Sequence, residues 1–127
     1  MKFVITEKEI TSELPYGTLN ISSEEEEGFR PFQLLVSAVA GCSGLVFRRI
    51  LMKQRLDIEY FTIEAKVERN EKEASRIEKI DLIFSIKGND LDERKLERNL
   101  SITRKHCSMV RSVEDSIEIT ERLKIIE

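Results

Sequence analysis

The feature that most constrains this chain is a change of hydrophobic period at Pro31. From there Leu34, Leu35, Ala38, Val39, Cys42, Leu45, Val46, Arg49 and Ile50 fall at the i, i+3, i+4, i+7 spacing of one helical face. Pro31 suits the first helical turn, where a missing N–H costs nothing. The middle of the segment, Ser37-Ala38-Val39-Ala40-Gly41-Cys42-Ser43-Gly44, is built of small residues, although each interior glycine costs roughly 1 kcal/mol relative to alanine. Such a segment predicts a central helix that something approaches closely: another helix, a sheet, and the interface of a dimer.

The flanking segments alternate instead. Phe3 and Ile5 alternate with Val4 and Thr6, and Thr18-Leu19-Asn20-Ile21-Ser22 follows the turn signal Pro15-Tyr16-Gly17, so a short hairpin is expected. Glu24 to Glu27, closed by Gly28, reads as a solvated loop without chemistry. Beyond the helix, Phe61, Ile63, Ala65 and Val67 share one strand face and Ile80, Leu82, Phe84 and Ile86 another, with the polar Asn70 to Ser75 between them. Gly88-Asn89-Asp90 stops the second strand. Asp90 with Glu93 predicts a capping box that opens a second helix, whose apolar face runs Leu96, Leu100, Thr103, Cys107, Val110. Ile117, Ile119, Glu121, Leu123 and Ile125 restore the two-residue period in a last strand. The expected order is ββαββαβ, an α+β pattern in a single domain over residues 1–127.

At 127 residues and 40% hydrophobic content the chain is large enough for a real core. Its 24 acidic and 21 basic residues leave a formal charge of −3, which gives no electrostatic reason to expect nucleic acid as a partner. Met1 to Ile10 alternates charged and apolar residues unlike a signal peptide, and no apolar run is read as approaching the roughly 20 residues that a membrane span needs. A cytoplasmic protein with no membrane partner is expected.

Cys42 and Cys107 are the only cysteines. In a reducing cytosol a permanent structural disulfide would be unusual, whereas a transient or catalytic one stays open. They stand 65 positions apart, far from Cys-x-x-Cys spacing, so only folding could join them. Both fall on the buried stripe of a predicted helix, one amid small residues that leave space around the sulfur. That favours a thiol redox pair, while the alternative of two inert, well-packed cysteines is common in protein cores. A reactive thiol needs a partner that stabilises its thiolate, and the candidate cations are Arg30, just before the helix, and Arg49, two turns after Cys42. His106 adjoins Cys107 but points about 100° away on a helix, which disfavours an ion pair. Cys42, His106 and Cys107 match no recognised zinc spacing, so neither a metal nor any other cofactor is expected.

The stretch Arg30-Pro31-Phe32-Gln33-Leu34-Leu35-Val36-Ser37-Ala38-Val39-Ala40-Gly41-Cys42 resembles the signature of OsmC-like proteins, and Lys95-Leu96 through His106-Cys107-Ser108-Met109-Val110 resembles the family's second helix and its cysteine. The resemblance implies two central helices wrapped by antiparallel sheets in an intertwined homodimer, with sites near the subunit interface. It further implies a thiol peroxidase acting on organic hydroperoxides or hydrogen peroxide. Cys42 would be the peroxidatic thiolate, Cys107 the resolving thiol and an external dithiol the reductant. Arg30, Phe32 and Gln33 would contact substrate. The sequence departs from the peroxidase branches at Phe32, where they carry a glutamate ten positions before the first cysteine, and at Ser108, where proline is frequent; no arginine precedes Arg30. An alternative is a non-catalytic binding module of the same fold, with an apolar pocket for a small apolar or thiol ligand.

Overall fold

The helix that Pro31 opens, α1, runs Pro31–Lys53 in the computed structural model, which describes residues 1–127. It ends where Arg55 takes a left-handed conformation (φ 54). The Leu56 N–H then reaches back to the Leu51 carbonyl at 3.2 Å, closing the last turn. The 23-residue α1 has a mean hydropathy of 1.7 over its most apolar 18 residues. By length and composition it matches a membrane span, contrary to the sequence expectation, although the core helix of a soluble protein has the same character.

The chain forms two compact units, Met1–Ser37 and Ala38–Glu127. The first is a meander of β1 (Val4–Ile5), β2 (Ile10–Glu13) and β3 (Thr18–Ile21), all antiparallel neighbours. The expected two-stranded hairpin is thus corrected to three strands. The turn at Pro15-Tyr16-Gly17 joins β3 to β2, and β2 was hidden because Ile10-Thr11-Ser12-Glu13 has one apolar residue and so shows no alternation. Ser12 is the buried residue of β2, and its hydroxyl donates to the Lys2 carbonyl at 2.8 Å.

The second unit is organised by the long hairpin of β4 (Asp57–Asn70) and β5 (Arg76–Asn89). Its alternation matches the sequence reading: Ile80, Leu82, Phe84 and Ile86 of β5 are wholly buried. At Gly88 a side chain would collide with the Asp57 carbonyl oxygen, so the ladder tolerates only glycine there. The final strand β6 (Glu118–Ile125) pairs with β5 in parallel, making the sheet β4-β5-β6 mixed rather than purely antiparallel. A parallel return needs a crossover of a dozen or more residues. Two helices supply it, α2 (Glu93–His106) and α3 (Ser108–Val113).

The α2 start differs from the expected capping box. Asp90 sits at φ 54, and Asp92 caps the helix by accepting from the Arg94 and Lys95 N–H groups at 3.0 and 3.4 Å.

Phe47 of α1 anchors helix to sheet. Its ring meets Phe61 and Phe84 edge-on, with centroids at 5.4 and 5.2 Å, while Phe61 and Phe84 stack at 6.0 Å. Such aromatic pairs add about 0.5–1.5 kcal/mol each beyond area burial. One turn earlier, Gly44 comes so close to β4 that an added Cβ would lie 3.2 Å from Ile63 Cδ1. The small residues of α1 therefore do admit a close neighbour, as their composition implies. Beyond the end of α1, Gln54 and Asn99 of α2 exchange two amide hydrogen bonds, 2.9 and 2.8 Å, which satisfies the fully buried Asn99.

Candidate thiol redox site

The buried face of α1 carries Val39, Ser43, Phe47 and Leu51, every fourth residue. Cys42 lies beside this stripe rather than on it and is partly exposed, whereas Cys107 is wholly buried. Cys107 also departs from the expected position on a helical face. It occupies the break between α2 and α3 with extended backbone (φ −84, ψ 107) and is the N-cap residue of α3. The change of direction at this break presents the first α3 N–H groups, which have no helical partners, to the two sulfurs.

The pair is held by a short network. The Ser43 hydroxyl donates to Cys107 Sγ at 3.5 Å, and Ser108 Oγ lies 3.7 Å from Cys42 Sγ. The two thiols are themselves within hydrogen-bonding reach of each other. Partial burial pushes the Cys42 thiol up, but hydrogen bonds outweigh it and hold the thiol below its ordinary value. They come from the Met109 N–H, the Cys107 thiol, and the hydroxyl and N–H of Ser108. Cys107 moves the other way: burial pushes it up, the Ser43 hydroxyl and the Val110 N–H pull it back in part, and Cys42 adds to the rise. One sulfur is thus accessible and acidified, and the other is buried and protonated. Such a division fits an attacking and a resolving thiol.

Of the other residues singled out in the sequence, Arg30, Phe32 and Gln33 belong to the unit Met1–Ser37. There the Arg30 guanidinium sits over the Phe32 ring, 4.9 Å from its centroid, and Gln33 is exposed. Arg49 is exposed on α1 in a basic patch with Arg48 and Lys53. The groups that lower Cys42 are all neutral donors. His106, the last residue of α2, is exposed. No three His, Cys, Asp or Glu side chains converge to hold a metal ion. Sequence reasoning missed Ser43 as a contact, and it noted Ser108 only as a replacement for proline. A serine next to each cysteine was the available signal.

Residues 23–122 match the family model described as OsmC-like protein. Protein YhfA of Escherichia coli (strain K12) is 27% identical over 97 residues, covering 76% of this chain and 72% of YhfA. Among solved structures, the OsmC like protein from Mycoplasma pneumoniae aligns over 99% of this chain and 95% of its own, with a TM-score of 0.84 at 14% identity. The organic hydroperoxide resistance protein OhrB of Bacillus subtilis aligns over 98% and 95%, with a TM-score of 0.61 at 16% identity. At these identities the structural likeness establishes the fold.

Proposed function

Since the chain belongs to the OsmC-like protein family, we propose that it is a cytoplasmic thiol redox protein whose Cys42 reduces organic hydroperoxides or hydrogen peroxide. The observation that carries this reading is the meeting of an acidified, accessible Cys42 with a buried, protonated Cys107. The Cys42 thiolate attacks the terminal peroxide oxygen, the O–O bond breaks, and the departing alkoxide takes a proton from solvent at the partly exposed sulfur to leave as the alcohol. The resulting Cys42 sulfenic acid condenses with the Cys107 thiol, forming the disulfide and releasing water. An external dithiol then returns the pair to the reduced state.

Support for a homodimer comes from α1, which leaves Leu45 and Met52 53% and 70% exposed on a helix this apolar. A second copy is the natural cover for such a face. Arg30, Phe32 and Gln33, from the segment that resembles the family signature, are assigned to substrate contact on that resemblance.

Reduced protein should consume cumene hydroperoxide and lose two free thiols per chain. Unchanged consumption by Cys42→Ser would defeat the assignment. A second reading starts from a hollow of about 600 Å³ between α1 and β4, lined by Gly41, Gly44, Leu51, Phe61 and Ile63 with Arg48. A non-catalytic module holding a small apolar or thiol ligand there would copurify with it, visible by native mass spectrometry, and would turn over peroxide slowly.

A further inference from the structure

The two sulfurs are stacked in depth. An incoming electrophile meets the partly exposed Cys42, and the wholly buried Cys107 waits behind it. The outer sulfur can be reached from solvent, since Cys42 is only partly buried. The hydrogen bonds that tune the pair come from neutral groups: the Ser43 hydroxyl and the Val110 N–H on Cys107, the Ser108 hydroxyl and the Ser108 and Met109 N–H groups on Cys42, and the contact between the two thiols themselves.

Leaving groups distinguish what such a pair attacks easily. Peroxide cleavage expels an alkoxide, which must be protonated as it departs. Disulfide cleavage expels a thiolate, whose conjugate acid has a pKa of about 8.5 and which leaves unprotonated. Serine hydroxyls and amides stabilise a sulfur anion but are poor proton sources.

We propose, building on the redox reading of this same pair, that the reduced protein is also a dithiol–disulfide exchanger that reduces small linear disulfides, with Cys42 attacking and Cys107 resolving. The Cys42 thiolate forms a bond to one sulfur of R–S–S–R, whose S–S bond breaks to release RS⁻ and leave a Cys42 mixed disulfide. Cys107 gives up its proton to solvent and attacks Cys42 Sγ. The Cys42–Cys107 bond forms, and the second RS⁻ leaves. The substrate is reduced to two thiols and the chain's dithiol is oxidised to one disulfide.

The test uses reduced, desalted full-length protein at pH 7 with hydroxyethyl disulfide, read by mercaptoethanol release and intact mass, and with cumene hydroperoxide in a parallel sample. Exchange should run about tenfold faster than with glutathione as the thiol. Both halves of the substrate should be released, leaving a chain lighter by two hydrogens and carrying no adduct. Cys107→Ser should stop at a Cys42 adduct with one half released, and Cys42→Ser should not exchange at that rate. A rate no greater than that of glutathione, a lasting adduct on the unsubstituted protein, or full-speed exchange by Cys42→Ser would each overturn the proposal. Lost exchange with peroxide consumption intact overturns it alone. Exchange without peroxide consumption upholds it and overturns the peroxidase reading instead.

Discussion

The Ser43 hydroxyl donates a hydrogen bond to Cys107 Sγ at 3.5 Å across 64 positions of sequence, from the residue next to Cys42. One turn of α1 therefore addresses both sulfurs: Ser43 holds the inner thiol while Cys42 offers the outer one.

Removing that hydroxyl should act on the resolving step. Burial already pushes Cys107 up and Ser43 pulls it part of the way back, so Ser43→Ala should raise it further and leave less thiolate to attack Cys42. In the Cys42→Ser background, the pH profile of Cys107 alkylation should move to higher pH. The variant should also lose about 1 kcal/mol of stability from the missing hydrogen bond. An unmoved profile would show that the contact is packing alone.

Ser108→Ala should have the opposite focus. The Ser108 hydroxyl is one of the donors holding Cys42 below its ordinary value against the rise from burial, so its loss should raise the Cys42 pKa. Alkylation of Cys42 at pH 7 should slow by about two- to threefold, and the two proteins should converge at a pH above both values, where each is fully thiolate. Equal rates at pH 7 would remove Ser108 from the site.

Glu121 supplies a pH dependence remote from the cysteines. Its side chain is only 5% exposed, one oxygen accepts from Arg104 at 3.2 Å, and Oε2 has no partner. Burial pushes its carboxyl up, and the Arg104 charge and hydrogen bond offset this only in part. A folded-state value above the unfolded one means that the protonated carboxyl favours folding. That contribution is fully present below the unfolded pKa and is lost as pH rises through the folded one. Urea midpoints should therefore fall across that window in the unsubstituted protein, and Glu121→Gln should flatten the fall. An identical slope in both would contradict the assignment.

Phe47→Ala should cost about 3–5 kcal/mol in chemical denaturation, because it removes a wholly buried ring at the centre of the cluster that ties α1 to β4 and β5. Phe47→Leu should cost less than half as much, since most of the volume is refilled. Equal losses would mean that the aromatic geometry, rather than volume, is what the core requires.

The stripes of β4 and β5, the α1 start at Pro31 and the family signature were legible in the sequence, because pleat and helix periods are local properties that show in side-chain spacing alone. The strand β2 was not, since Ile10 is its one apolar residue and its place is set by the ladder on either side. Asp90 and Asp92 look alike as caps, and backbone conformation chose between them: Asp90 at φ 54 cannot act where Asp92 accepts two N–H bonds. The direction of β6 was equally hidden, because a two-residue period reads the same in parallel and antiparallel pairing.

By itself, the sequence determined that two cysteines exist, that one lies in a helix of small residues, and that both lie in segments packed inward. Only the tertiary structure decided their inequality. The period of Leu96, Leu100, Thr103, Cys107 and Val110 runs on with no glycine or proline to interrupt it, yet the helix breaks at Cys107. The break turns the Ser108 and Met109 N–H groups toward Cys42 and sets Cys107 behind Ser43. Thiol acidity depends on burial and on donors brought from distant positions, and residue spacing along a chain carries neither.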